Sequence, residues 1–343
     1  MSFSPVIFGL SGLTLNAGER AFFADVNPLG FILFTRNCRD PAQVRALADS
    51  LRDVTGRADT PILIDQEGGR VTRLGPPHWR KPPAAAGFAR LAEIDVQAGV
   101  HAIKLNVRLI ADDLHKLGIT VDCLPVLDLP QPGAHPVIGD RALGHEPAAI
   151  ARLGRAICVG LIEGGVLPVI KHIPGHGRAT ADSHTTLPRV DTPLLELKMS
   201  DFAPFRTLGD MPLAMTAHVV YTAIHPNNAA TVSPLLISSI IREHIGFDGL
   251  LMSDDISANM KALPGSYGDR TLAALAAGCD VVLHCNGDMG EMREVAAALL
   301  PMTKDARLRW LTAAALARAG APANFDRDAA IAEVDALLAR VAA

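Results

Sequence analysis

One short stretch of the chain carries most of the side chains that could do acid–base chemistry. Residues 171–188 read Lys-His-Ile-Pro-Gly-His-Gly-Arg-Ala-Thr-Ala-Asp-Ser-His-Thr-Thr-Leu-Pro and contain three histidines, a lysine, an arginine and an aspartate. An apolar run, residues 166–170, comes directly before it. Because Pro174, Gly175 and Gly177 interrupt any helix, we expect these polar groups on a loop that leaves the end of a strand. Loops held by rigid strands are common sites of catalysis and binding.

Polar and charged residues also follow most of the other apolar runs. Asp65 follows Pro-Ile-Leu-Ile, and Asp254 and Asp255 follow Leu-Leu-Met-Ser. If the runs are parallel strands of one barrel, their carboxyl ends meet at one face, where these side chains would form a site. The other titratable residues placed in this way are Asp128, Lys171, His172, His218 and His284.

Two loops add arginine beside acidic residues. Residues 65–73 read Asp-Gln-Glu-Gly-Gly-Arg-Val-Thr-Arg, and Asp140-Arg141 form a second acid–arginine pair. Aspartate with arginine and lysine in a cleft suits a polyhydroxylated ligand, because each sugar hydroxyl both donates and accepts hydrogen bonds. We expect Arg73 to face the ligand. Arg70 lies so close to the glycine turn that bracing of the loop is an equally good interpretation.

Eight short apolar runs alternate with helical segments along the chain. Their near-continuous apolar character is typical of parallel strands covered on both faces. We therefore predict an α/β fold, a single (β/α)₈ TIM barrel, with residues 1–343 forming one catalytic domain and helices from about residue 304 packed on its outside. A doubly wound sheet is the alternative, but no Gly-x-Gly-x-x-Gly follows the first run. The predicted strands are Val6–Leu10, Phe31–Phe34, Pro61–Ile64, Thr120–Leu127, Leu167–Ile170, Leu213–Ala217, Gly249–Met252 and Asp280–His284.

Capping residues mark several helix boundaries. Asp40 followed by Pro41 predicts the start of a helix, and Gly56 predicts its end. One long helix is predicted from about Ile94 to Leu117, ended by Gly118.

The composition excludes several classes of function. The 343 residues are 49% hydrophobic with a formal net charge of −4 at pH 7, which favours a large core and gives no basic surface for nucleic acid. No apolar run is long enough to span a membrane. The first residues lack the basic segment and cleavage site of a signal peptide, and the five cysteines form no Cys-x-x-Cys pair. We therefore expect reduced thiols and a cytoplasmic monomer without a cofactor.

Seven short motifs occur in order between residues 65 and 255. They are Asp-Gln-Glu-Gly-Gly-Arg at 65–70, Pro-Val-Leu-Asp at 125–128, Gly-Asp-Arg at 139–141, Lys-His-Ile-Pro-Gly-His-Gly at 171–177, Asp-Ser-His at 182–184, Ala-Met-Thr-Ala-His-Val at 214–219 and Ser-Asp-Asp at 253–255. In this combination the chain resembles glycoside hydrolase family 3, and specifically its bacterial single-domain β-N-acetylhexosaminidases. Any one of the motifs alone would be a weak signal.

The resemblance implies a retaining exo-β-N-acetylglucosaminidase. Its substrates would be peptidoglycan fragments, muropeptides of the GlcNAc-1,6-anhydroMurNAc type, from which it releases terminal N-acetylglucosamine. It further implies Asp254 as the nucleophile that forms a covalent glycosyl-enzyme, and His184 with Asp182 as the acid/base dyad on a mobile loop. The sugar-binding positions that it implies are Asp65, Arg73, Arg141, Lys171 and His172.

The residue types are suited to these implied roles. Retaining hydrolysis normally uses two carboxyl groups about 5–5.5 Å apart, one as nucleophile and one as proton donor. A histidine can replace the donor because its ordinary pKa lies near neutrality, and Asp182 would orient the ring of His184. We assign supporting roles to the remaining residues: backbone bonding to Asp255, bracing of the glycine-rich loop to His176, and lining of the pocket floor to His218 and His284.

Two other functions stay open. A metal-dependent barrel hydrolase could use His172, His176 and His184 as ligands with Asp254, although a Pro-Gly step between the first two histidines breaks the helix that a His-x-x-x-His site needs. A sugar-binding protein without catalysis would keep the pocket but lack a nucleophile or a proton donor, and both residue types are present.

Overall fold

Parallel strands close into a barrel in the computed structural model, which describes residues 3–179, 181, 186–258, 263–319 and 325–341. The strands in these residues are β1 Ser4–Phe8, β2 Pro28–Leu33, β3 Ile62–Ile64, β4 Val121–Asp122, β5 Leu167–Ile173, β6 Arg189–Val190, β7 Leu213–Thr216, β8 Val220–Tyr221, β9 Leu250–Asp255 and β10 Val281–His284.

The order of the strands confirms the predicted TIM barrel. Around the barrel they run β1, β2, β3, β4, β5, β7, β9 and β10, and β10 pairs in parallel with β1. The short strands β6 and β8 pair with each other outside it. Each of the eight predicted apolar runs contributes one barrel strand. The fourth is shorter than predicted and ends at Asp122, because the N–H of Leu124 bonds back to the carbonyl oxygen of Asp122 and Pro125 has no N–H to donate, and pairing with β5 resumes at Val126.

Helices separate the strands and cover the barrel. None of the helices in the described part of the chain combines the length and apolar character that a bilayer crossing needs. The helices are α1 Ala17–Val26, α2 Pro41–Thr55, α3 Ala85–Ile94, α4 Val96–Lys116, α5 Pro147–Glu163, α6 Leu194–Met199, α7 Ala203–Thr207, α8 Pro234–Leu236 with the wider π-helical turn Ile237–His244 directly after it, α9 Tyr267–Ala277, α10 Met289–Ala298, α11 Lys304–Ala319 and α12 Arg327–Ala339.

Local capping explains where two of these helices begin. The Asp40 carboxylate accepts from the backbone N–H of Gln43 at 2.9 Å, and Gly56 ends α2 in the left-handed region at φ 62°, as the sequence predicts. The predicted long helix is present as α4, which begins at Val96 rather than at about Ile94. Asp95 is extended, and its side chain caps α4 by accepting from Ala98, so α3 ends at Ile94 and a new helix begins.

The two C-terminal helices pack in different places. Arg327, at the start of α12, forms ion pairs with Asp112 and Asp113 on the outer helix α4. By contrast, α11 lies against the amino-terminal end of the barrel, where Trp310 joins a buried cluster with residues from the strand starts such as Leu167. We infer that α11 closes the bottom of the barrel.

Trp310→Ala tests this role of α11. Trp310 is 4% exposed, so removing its ring leaves a cavity and should lower the free energy of unfolding by about 3 kcal/mol or more. Leu308→Ala on the same helix is the matched control, because Leu308 is 64% exposed and should change stability by less than about 0.5 kcal/mol. Thermal and denaturant unfolding of both variants give the comparison. Equal losses in the two variants would contradict the closing role.

Candidate active site

A cavity of about 450 Å³ opens at the carboxyl ends of the barrel strands. Its size lies within the range usual for small-molecule sites. One wall is apolar and contains Ile32, Phe34, Val71, Met215, Leu283 and Cys285. The rest is charged and is lined by Arg36, Asp65, Glu67, Arg73, Arg141, Lys171, His172, Asp254 and Asp255.

Lys171 lies at the centre of the charged wall. Its ammonium group contacts one oxygen of Asp65 and one of Glu67, each at 2.7 Å, and its side chain is only 3% exposed. Burial alone would lower the pKa of Lys171, but the two carboxylates outweigh it and hold that pKa above its usual range. The lysine therefore stays charged in the cavity wall.

Two arginines complete the set around Lys171. Arg73 donates to the other oxygen of Asp65 at 3.1 Å, and Arg141 donates to both oxygens of Glu67 at 2.7 and 2.8 Å. We call these five residues the lysine cluster. Burial alone would raise the pKa of both carboxyls, but Lys171 outweighs it, helped by Arg73 at Asp65 and by Arg141 at Glu67, so both pKa values are lowered. The cluster thus presents fixed donors and acceptors to a ligand.

Asp254 lies near the end of β9 on the same cavity. One of its carboxylate oxygens accepts from the backbone N–H of Asp255 at 2.8 Å. Burial would raise the pKa of Asp254, but His218 and then His172 outweigh it, so this pKa is lowered. Asp254 is consequently a carboxylate near neutral pH, which is the form that a nucleophile needs.

His172 is oriented by a buried aspartate. Asp128 approaches His172 Nδ1 with one oxygen at 2.7 Å, and its other oxygen accepts from the backbone N–H groups of His172 and His176 at 3.2 and 2.7 Å. Burial would raise the pKa of Asp128, but the His172 imidazole outweighs it and lowers that pKa to about 2. Asp128 thereby holds the ring of His172 against the cavity.

His176 packs behind His172. The two ring centres lie 5.8 Å apart in an edge-to-face arrangement. Burial, reinforced by the neighbouring His172, lowers the pKa of His176 to about 4. Its ring is therefore neutral near pH 7 and fills the base of the loop, in line with the bracing role expected from the sequence.

A further carboxyl group is enclosed beneath the lysine cluster. Asp122 is fully buried, and one of its oxygens accepts from the backbone N–H of Gln66 at 2.9 Å. Burial raises its pKa to about 8. Asp122 is therefore protonated in the folded protein near neutral pH.

The structure brings most of the predicted site residues together. Asp254 and the five expected sugar-binding residues all line one cavity. Asp182 and His184, the expected acid/base dyad, lie outside the described residues. Glu67 has no role predicted from the sequence, although it stands two positions after Asp65, and the pairing of Asp128 with His172 was also not predicted. The position of Asp128 directly after an apolar run marks it as a possible site residue. The neighbouring sequence does not show that its side chain contacts the ring of His172.

Two expectations for histidines are wrong. His218 and His284 are completely buried and do not line the cavity. The Nε2 atom of His284 meets Glu291 at 3.0 Å, away from the lysine cluster. The ring of His218 instead bonds the hydroxyl of Thr231 at 2.7 Å and the carbonyl oxygen of Asp255 at 2.8 Å.

Two other expectations agree with the contacts. Asp255 bonds the backbone, accepting from the N–H groups of Ser257 and Cys285 at 3.0 Å. Arg70 braces a loop, with an ion pair to Asp140 at 3.0 Å and a bond to the carbonyl of Ile138.

The histidines are not arranged as a metal site within the described ranges. No three His, Cys, Asp or Glu side chains of those residues are placed to hold an ion together. His172 directs Nδ1 to Asp128, and His184, the third ligand of the metal hypothesis, is not among the described residues. The metal-dependent alternative thus gains no support from the geometry.

Known proteins are similar to this chain in sequence and structure. Residues 10–306 match the family model described as "Glycosyl hydrolase family 3 N terminal domain". A protein named Beta-hexosaminidase from Methylococcus capsulatus is 39% identical over 282 residues, covering 82% of each chain. Another of that name from Chromobacterium violaceum is 38% identical over 306 residues, covering 87% of this chain and 82% of the other. The crystal structure of NagZ from Neisseria gonorrhoeae in complex with N-trifluoroacetyl-D-glucosamine has a TM-score of 0.87 at 32% identity, covering 98% of this chain and 99% of that one.

Asp122→Asn tests the protonated carboxyl. From about pH 4, where an unfolded aspartate ionises, up to about pH 8, the folded wild type keeps a proton that its unfolded chain releases. The free energy of unfolding of the wild type should therefore fall with rising pH through this range relative to that of the variant. Denaturant unfolding of both proteins at pH 4, 6 and 8 measures the difference, which should move steadily in favour of the variant. A difference that is constant across pH would show that Asp122 is ionised in the folded state.

Proposed function

This protein belongs to glycosyl hydrolase family 3 as a β-N-acetylhexosaminidase, and from that premise we propose that it is a retaining exo-β-N-acetylglucosaminidase. The observation that carries the proposal is the position of Asp254. Its carboxylate is kept ionised by its neighbours and shares one cavity with the lysine cluster. A carboxylate facing a set of fixed sugar-binding groups is what double displacement at an anomeric carbon requires.

The cavity supports recognition of a single terminal sugar. Its volume of about 450 Å³ is suited to one pyranose ring with an acetamido group rather than to a long chain. Lys171, Arg73 and Arg141 offer donors to sugar hydroxyls, while Asp65 and Glu67 offer acceptors. Cleavage would accordingly occur at the non-reducing end, which is exo action.

The proposed reaction proceeds in two displacements. Asp254 attacks the anomeric carbon and forms a glycosyl ester as the glycosidic C–O bond breaks, and the leaving oxygen takes a proton from His184. Water then attacks the same carbon, His184 takes its proton, and Asp254 is released with the β configuration restored. Asp182 would orient the imidazole and stabilise its charged form. The roles of His184 and Asp182 rest on the resemblance of the Asp-Ser-His motif to the family pattern.

The finer substrate assignment follows the bacterial single-domain branch. We propose that the natural substrates are peptidoglycan fragments, muropeptides of the GlcNAc-1,6-anhydroMurNAc type, processed in the cytoplasm. We further propose that the protein acts as a monomer. No step in this mechanism calls for a cofactor.

Trapping of the covalent intermediate tests Asp254 directly. An N-acetylglucosaminyl fluoride with a second fluorine on the ring should accumulate as a glycosyl-enzyme, because the ring fluorine destabilises the oxocarbenium-like transition state while fluoride leaves readily. Peptide mass mapping should place the label on Asp254.

The product released from a normal substrate should first appear as the β-anomer, and Asp254→Ala should lose activity by several orders of magnitude. Label on Asp255, or an α-anomeric first product, would refute the assignment.

Leaving-group dependence tests His184 and Asp182. An activated aryl glycoside needs little proton donation, so His184→Ala should keep far more of the wild-type kcat/KM on that substrate than on a natural disaccharide. Asp182→Ala should show a milder form of the same pattern. His101→Ala, an exposed histidine on α4, should behave as wild type on both substrates. All assays contain EDTA, so activity in them also counts against the metal-dependent alternative. Equal losses of His184→Ala on both substrates would rule out a proton-transfer role.

A further inference from the structure

Three buried polar side chains lie directly behind Asp254. Thr216 ends β7, His218 follows it two residues later, and Thr231 lies on the short 3₁₀ turn Ala230–Val232. All three are completely buried, and none lines the cavity. A completely buried polar side chain lowers stability unless it is hydrogen-bonded. The hydrogen-bond partners of these three side chains therefore indicate their role.

The hydroxyl of Thr231 connects the other two side chains. Thr231 Oγ1 lies 2.8 Å from Thr216 Oγ1 and 2.7 Å from His218 Nδ1. Removing this one oxygen would therefore leave both neighbours without their shared partner.

Both ends of this set reach the main chain that carries Asp254. The backbone N–H of Asp254 donates to Thr216 Oγ1 at 3.3 Å, and His218 Nε2 lies 2.8 Å from the carbonyl oxygen of Asp255. A carbonyl oxygen can only accept, so the hydrogen of the ring is on Nε2. The Nδ1 atom of His218 faces the Thr231 hydroxyl, which also lies 3.2 Å from the carbonyl oxygen of Ala217.

These contacts give one continuous chain of hydrogen-bonded groups. It runs from the amide of Asp254 through Thr216, Thr231 and His218 to the carbonyl of Asp255. Hydrogen bonds linked in a chain polarise one another. These hydrogen bonds hold the backbone N–H of Asp254 and the backbone carbonyl of Asp255, which lie on either side of the Asp254 side chain.

We propose that Thr231 is a positioning residue for the reaction, acting through Thr216 and His218 to hold the main chain of Asp254 in the geometry for attack on the sugar. The proposal rests on the proposed role of Asp254 as nucleophile. The lowered pKa of Asp254, to which the nearby His218 contributes against the effect of burial, agrees with it. Displacement chemistry is sensitive to placement, since a shift of about 1 Å can lower the rate about a hundredfold.

Thr231→Val is the central test, because valine keeps the shape and removes the hydroxyl. The rate constant for labelling of Asp254 by the fluorinated glycosyl fluoride, and kcat on an aryl N-acetylglucosaminide, should fall about ten- to a hundredfold while KM changes less than about twofold. Thr231→Ser restores the hydroxyl and should recover most of the rate. Thr216→Val breaks the same chain at its next link and should reproduce the loss, so the test does not depend on one variant folding.

A matched control separates positioning from stability. Thr60 is also completely buried, and its hydroxyl bonds the hydroxyl of Thr55 at 2.6 Å. It precedes β3 at the opposite end of the barrel, so Thr60→Val should lower the melting temperature comparably and leave kcat unchanged.

The outcomes distinguish the two proposals. Wild-type protein labelled at a residue other than Asp254 would overturn the proposed function. Label on Asp254 at the wild-type rate in Thr231→Val, a parallel loss of kcat in Thr60→Val, or failure of Thr231→Ser to recover would each overturn the positioning role alone.

Discussion

The buried ammonium group of Lys171 is the interaction on which the rest of the site depends. A charge at that depth is unstable without partners, and Asp65 and Glu67 supply them at 2.7 Å each. Breaking such a buried set typically costs about 3–5 kcal/mol, whereas an exposed pair contributes about 0–1 kcal/mol. Each carboxylate is also paired with an arginine, Asp65 with Arg73 and Glu67 with Arg141. These ion pairs connect the loop after β3 and the loop before α5 to Lys171 on β5.

In the function that we propose, the groups that bind the sugar and the group that reacts with it are held in different ways. The lysine cluster holds itself together through side chains, with cations and carboxylates neutralising one another, so it can meet sugar hydroxyls without rearranging. Asp254 stands apart from these pairs and is positioned through its main chain by β9 and the residues behind it. A nucleophile paired tightly with a cation would be less reactive, so the separation is chemically sensible.

Close packing of the glycine-rich loop connects these two parts. A side chain at Gly177 would place its Cβ 1.9 Å from the carbonyl oxygen of Leu129, so only glycine allows the loop to lie against the segment that carries Asp128. That approach lets one aspartate accept from the backbone of both His172 and His176. The position of His172 in the cavity thus depends on a backbone contact as much as on its own side chain.

The sequence by itself determined the eight barrel strands, the boundaries of α2 and the residue types at the strand ends, because apolar periodicity, caps and glycine turns act over a few neighbouring residues. Family motifs added the expected role of Asp254. Only the tertiary structure decided the partners: Lys171 meets Asp65 across 106 positions of the chain and Arg141 meets Glu67 across 74. It also buried His218 outside the lining of the cavity and laid α11 across the base of the barrel. Such contacts follow from closure of the barrel, which brings distant loops to one face and leaves no trace in local spacing.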